Sequence, residues 1–110
     1  MIQNKVINVA DTTVFEAQKQ SALTTVIFCN TGTKTDTLTV YIVKDKDTPS
    51  NNNITLTNLL SVADDTFVLD TERLILEAGD SLIAKSINGT TVATVSIMEL
   101  VWGGDTSWNF

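Results

Sequence analysis

Apolar residues in this chain recur with a period of two, and the residues between them are mostly threonine. In Thr37-Leu38-Thr39-Val40-Tyr41-Ile42-Val43, Leu38, Val40 and Ile42 fall on one side and Thr37, Thr39 and Tyr41 on the other. That is the side-chain alternation of an extended strand, with one face meeting a core and the other meeting water. A helix would need a spacing near 3.6, and no long stretch shows it. The chain is therefore constrained to antiparallel β-structure.

Further strands follow from the same pattern. Leu23 to Cys29 is apolar on both faces except at Thr24 and Thr25, which reads as a central strand covered from both sides and ended by Asn30-Thr31-Gly32-Thr33. It is expected to form a hairpin with the Thr37–Val43 strand. Between Lys44 and Asn53 the composition turns to Asp, Lys, Pro, Ser and three consecutive Asn, a solvated loop and the longest in the chain. Alternation resumes at Ile54 and Leu56, at Phe67-Val68-Leu69 and at Leu74-Ile75-Leu76, with Asp64-Asp65 and Asp70-Thr71-Glu72 as breaks. Gly79-Asp80 supplies a tight turn before Ser81–Ser86, and Asn88-Gly89 signals a hairpin leading into Thr91–Val101. A short helix over Thr57 to Ala63 is the competing reading of that segment, since Leu59, Leu60 and Ala63 approach helical spacing. About eight strands separated by regular turn signals predict an all-β, two-layer antiparallel β-sandwich, either jelly-roll or Ig-like.

A length of 110 residues with 43% hydrophobic and 18% charged residues suits one domain with one core. Residues 1–102 are assigned to the sandwich and 103–110 to a flexible C-terminal tail. That tail and the residue before it hold both tryptophans, Trp102 and Trp108, and end in Phe110. Aromatic anchors of this kind carry binding energy at interfaces, so Trp102, Trp108 and Phe110 are the interface candidates. Trp102 either caps the chain's own core while the rest frays, or the tail docks on a neighbouring subunit.

The formal net charge of −6 repels polyphosphates and anionic headgroups, so nucleic acid and membrane are not expected partners. No basic segment followed by a long apolar run opens the chain, and no stretch reaches the ~18 apolar residues that span a bilayer. A soluble, cytoplasmically made protein is expected. The single Cys29 adjoins Val26-Ile27-Phe28 and reads as a small buried hydrophobe.

Catalysis has little material to draw on. With no histidine and one cysteine, Ser-His-Asp and Cys-His mechanisms and thiolate–imidazole zinc sites are excluded. Asp64, Asp65, Asp70 and Glu72 could form a carboxylate pair, and they or Asp45, Asp47 and Asn51–Asn53 could offer oxygen ligands to calcium. Neither group follows the EF-hand order, and acidic residues beside turns ordinarily solvate them. Asn53-Ile54-Thr55 and Asn88-Gly89-Thr90 match the glycosylation pattern, but the second is already explained as a turn. Gly79, Gly89, Gly103 and Gly104 make no phosphate-binding loop. No cofactor, metal or enzymatic activity is expected.

Residues 26–43, VIFCNTGTKTDTLTVYIV, and 74–86, LILEAGDSLIAKS, followed by TVATVSIMEL at 91–100, resemble small β-sandwich virion structural proteins of tailed bacteriophages. In that family an apolar strand ends in Asn before a short polar turn that leads to a strand of the Thr-Val-x-Ile-Val type, and a Leu-x-x-Gly-Asp turn precedes the last hairpin. Asn30, Gly79 and Asp80 stand at the matching positions, and these, with Asn88 and Gly89, are structural turn residues. The resemblance runs from about Val14 to Leu100 and stops short of the tail. It implies a head decoration or a tail, neck or baseplate accessory subunit, located in the virion and made in the host cytoplasm. Its partners would be other virion proteins and further copies of itself, a trimer among the options. Contacts through edge strands, loops and tail are the expected mode. The competing expectation is a host-surface or carbohydrate recognition module, against which the 6% aromatic content weighs.

Overall fold

The computed structural model describes residues 2–50, 52 and 54–99, and within these not the side chains of 54–59 and 69–73. The described residues hold eight strands and no helix: β1 (Ile2–Ile7), β2 (Thr12–Glu16), β3 (Ser21–Asn30), β4 (Asp36–Val43), β5 (Ile54–Ser61), β6 (Thr66–Leu76), β7 (Ser81–Ser86) and β8 (Thr91–Glu99). The helix over Thr57 to Ala63 does not form. Instead Leu59 and Leu60 of β5 stand opposite Leu38 and Thr37 of β4, so a neighbouring strand decides what the short apolar run left open.

Two four-stranded sheets result, a front sheet in the order β1-β8-β3-β6 and a back sheet in the order β2-β7-β4-β5. Every pairing is antiparallel. The pairs β1 with β8, β2 with β7, β3 with β6 and β4 with β5 are nested. A single doubled ribbon with its bend between β4 and β5, rolled into two layers, is a jelly roll, and this order rules out the Ig-like alternative.

The nesting corrects two expectations. β3 and β4 do not pair, because β3 lies between β8 and β6 while β4 lies between β7 and β5. Likewise β7 and β8 lie in different sheets, so the Asn88-Gly89 turn arches from one layer to the other. An Asn-Gly turn specifies a reversal with positive φ, and Gly89 has φ 70°, but it does not specify which strand the chain pairs with next. Among the described strands, only β4 and β5 are both consecutive and paired, and they are joined by the long polar loop after Lys44.

The core lies between the layers. Leu23, Val26 and Phe28 of β3 and Ala93, Val95 and Ile97 of β8 meet Leu38 and Val40 of β4, Leu82 and Ala84 of β7 and Phe15 of β2. Phe28 is 1% exposed, and its ring stacks on Phe67 of β6 with centroids 6.5 Å apart.

All four edge strands are modified against strand addition. Extra residues interrupt the ladders of β2 near Val14, of β5 opposite Val40 and of β6 between Asp70 and Leu74. β1 keeps a regular ladder but turns Lys5 to the same side as the buried Ala93. Bulges and inward-turned charges both hinder edge-to-edge pairing.

Candidate interaction surface

One end of the sandwich is closed by a buried polar clamp. Asn30, at the end of β3, is fully buried and uses its whole amide: Nδ2 donates to the carbonyls of Lys34 and Ser61 at 2.8 and 2.7 Å. Its Oδ1 accepts from the Gly32 amide at 2.9 Å and the Thr90 hydroxyl at 2.8 Å. Asp36, the first residue of β4, is also fully buried. Its Oδ1 accepts from the amides of Asn88 and Thr37, and its Oδ2 from the Thr91 hydroxyl. Burial pushes the Asp36 carboxyl up, but the hydrogen bonds from Asn88, Thr91, Ser86 and Thr37 outweigh it and hold the group below its ordinary value. Asn88 adds a bond from its side-chain amide to the Thr35 carbonyl, and the Gly89 amide donates to the Ser86 hydroxyl. Asn30, Asn88 and Gly89 thus meet in one structure. Asp36 was missed in the sequence, since its partners Asn88 and Thr91 lie 52 and 55 positions away.

At the other end, Gly79 and Asp80 form the turn expected of them. Gly79 has φ 93°, its amide donates to the Ala17 carbonyl, and a Cβ there would meet the Asp45 side chain. The Asp80 carboxylate accepts from the amides of Glu77 and Asp45, each at 3.0 Å, joining this turn to the loop after β4. These contacts are structural.

The carboxylates considered for catalysis or calcium are described only in part. Asp64 takes positive φ in a turn, and Asp65 accepts the Thr66 amide, while the side chains of Asp70 and Glu72 lie outside the described residues. Among the described residues no three His, Cys, Asp or Glu side chains group as metal ligands, and no helix is long and apolar enough to cross a membrane. A groove of about 460 Å³ runs between the edges of β1 and β2, lined by Gln3, Asn4, Lys5, Glu16 and Gln18 with Phe15 beneath. The interface candidates Trp102, Trp108 and Phe110, with the 102/103 boundary, also lie outside the described residues.

What the described residues do present is the outer face of the front sheet. Register places Ile2 and Val6 of β1, Ile27 of β3, Val68 and Ile75 of β6 and Met98 of β8 on it. Ile2, Val6, Val68, Ile75 and Met98 are 43–69% exposed. β3 and β8, the central strands, contain no charged residue from Ser21 to Asn30 or from Thr91 to Met98. The polar residues between are neutral and partly satisfied within the sheet: Thr94 donates to Asn4 Oδ1 at 2.7 Å, and Thr24 to the Ser96 carbonyl at 3.2 Å. The sequence of β3 reads as covered on both faces, yet the back sheet covers only one.

The back sheet is different. Its outer face carries Glu16 and Lys85, and the outward-register Tyr41 and Val43 are 6% and 1% exposed, so the chain itself partly covers it. Lys85 Nζ lies 6.0 Å from the centre of the Tyr41 ring.

Fold and surface together define a jelly-roll β-sandwich with one open sheet face on which the described outward side chains are apolar or neutral polar. Comparisons with protein-family models, with curated proteins and with solved structures find no match.

Proposed function

We propose that this chain is a structural subunit of a virion, of the head decoration or tail, neck or baseplate accessory kind, and that it works through protein–protein contacts. The observation that carries the contact-making role is the outer face of the front sheet, where exposed apolar side chains surround two central stretches, residues 21–30 and 91–98, without charge. Interface cores are depleted in charge in just this way, and exposed apolar side chains are costly to leave in water. The virion setting is supported by the strand and turn motifs around Asn30, Gly79 and Asp80, and by the jelly roll, an architecture used in viral capsids and also in lectins. The irregular edges of β2, β5 and β6 point away from edge strands as the means of contact.

An antibody raised against the purified protein tests this reading on density-purified particles from a lysate in which the chain is expressed. Labelling at a fixed place on the particle is expected. Protein that stays in the soluble fraction and is missing from purified particles would overturn the virion assignment.

A carbohydrate recognition module is the second reading, favoured by the groove between β1 and β2 with its amide and charged lining. It predicts that soluble host polysaccharide shifts the amide NMR signals of Asn4, Lys5 and Glu16. Unchanged signals at saturating polysaccharide would dispose of it.

A further inference from the structure

We infer that the outer face of the front sheet is covered by the same face of a second copy, in a two-fold pair with β8 laid across β8. The inference deepens the contact-making reading above and rests on it.

Charge selects the occupant. The chain carries thirteen acidic and seven basic residues, and two copies repel each other wherever their acidic loops approach. At physiological ionic strength that repulsion reaches only about 8 Å, so copies can meet where the contact itself is neutral. No described side chain with outward register on the front sheet is charged. Asp70, in register with Thr25, belongs to the edge strand β6, away from the centre. A basic partner would be drawn to the acidic loops instead. In a two-fold contact, residues near the axis meet their own copies, which like charges would penalise and the neutral outward residues of β8 permit.

Size and geometry agree. Four strands about 4.8 Å apart, with about nine residues rising ~3.3 Å each, present a face of about 20 by 30 Å. Its pleated surface approaches the ~800 Å² per partner of a standard stable interface. The Thr94–Asn4 and Thr24–Ser96 bonds already occupy polar groups there, which lowers the cost of excluding water. With bulges on three edges and Lys5 on the fourth, face-to-face packing is the mode left open to two such sheets.

Cys29 is a built-in probe, being the single cysteine, half-buried, and in register with Val92 on this face. The test combines sedimentation of the full chain with the rate at which Cys29 reacts with a maleimide, both followed from low to high protein concentration. A dimer is expected in which the rate falls about tenfold or more. Thr94→Lys and Val68→Lys should each weaken the dimer about a hundredfold and restore the rate, because each buries an unpaired charge. Leu60→Lys, at a residue 61% exposed on the back sheet, should leave both readings unchanged.

A monomer with reactive Cys29 at every concentration would overturn the pair, as would a dimer in which Cys29 stays reactive. A monomer whose Cys29 is shielded until residues 100–110 are removed would also overturn it, in favour of the chain's own C-terminal segment as occupant. None of these outcomes touches the particle-labelling test, so failure of the pair and failure of the virion reading are distinguishable.

Discussion

The Thr91 hydroxyl donates to Oδ2 of Asp36 at 2.9 Å, and this bond between two fully buried residues ties the first residue of β8 in the front sheet to the first residue of β4 in the back sheet. Apolar contacts between layers can slide, whereas a buried carboxylate with directed donors has one satisfactory geometry. The clamp therefore sets how the layers are aligned at that end.

Asp36→Ala removes the acceptor of the Asn88 and Thr37 amides and the Thr91 hydroxyl together. A loss of about 3 kcal/mol or more is expected by urea denaturation, since buried donors are left without partners. Asp36→Asn should cost less, because one acceptor oxygen remains.

The same carboxyl makes stability depend on pH. Its folded value is held below the ordinary one, so its contribution is complete above the unfolded value near 3.9 and is lost as pH falls through it toward the lowered folded value. The stability difference between the natural chain and Asp36→Asn should be constant from neutral pH down to about 5 and shrink below about 4. A difference that does not change with acid would show that the carboxylate form is not what the clamp favours.

Asn30→Asp preserves shape and reverses chemistry. Two carbonyls, those of Lys34 and Ser61, would face a carboxylate in place of an amide donor. About 3–5 kcal/mol of destabilisation is expected. The carboxyl's pKa should also rise, measurable by carbon-13 NMR of the labelled side chain.

Two glycines separate strain from crowding. Gly79→Ala must hold φ near 93° and drive a Cβ into Asp45 Cγ, whereas at Gly89, φ 70°, the nearest atom would be Val9 Cγ1 at 3.7 Å. Gly89→Ala should cost about 1 kcal/mol from backbone strain alone, and Gly79→Ala about 2–3 kcal/mol. Equal thermal shifts in the two variants would contradict the crowding at Gly79.

Phe28→Ala should lose about 3–5 kcal/mol in denaturant titration, because a fully buried ring leaves a cavity. Phe67, its stacking partner, is 38% exposed, and Phe67→Ala should cost less than half as much.

Strands and turns were legible because they are local properties. The alternation at Leu38, Val40 and Ile42 and the Gly79-Asp80 turn appear where they were expected, and Asp80 bonds the turn's own Glu77 amide. Pairing was not legible. The Asn88-Gly89 reversal is real, but whether the next strand lies beside β7 or crosses to the other sheet depends on Asp36 and Asn30, far upstream. The open face of the front sheet was half legible. β3 looked covered on both sides, and that reading becomes informative only once the fold supplies a single cover. Nothing in the described residues bears on Trp102, Trp108 or Phe110.

The nested pairing also governs when this protein can fold. Asn4 and Thr94 are hydrogen-bonded across 90 positions, and β8 fills the middle of the front sheet between β1 and β3. During synthesis those two strands emerge long before the one that joins them, and until then they cannot complete their ladders. Closing loops of that length before any reward is gained places the chain among slow, high-contact-order folders, in the range of milliseconds to seconds. Its unfinished front sheet would be the species most in need of a chaperone.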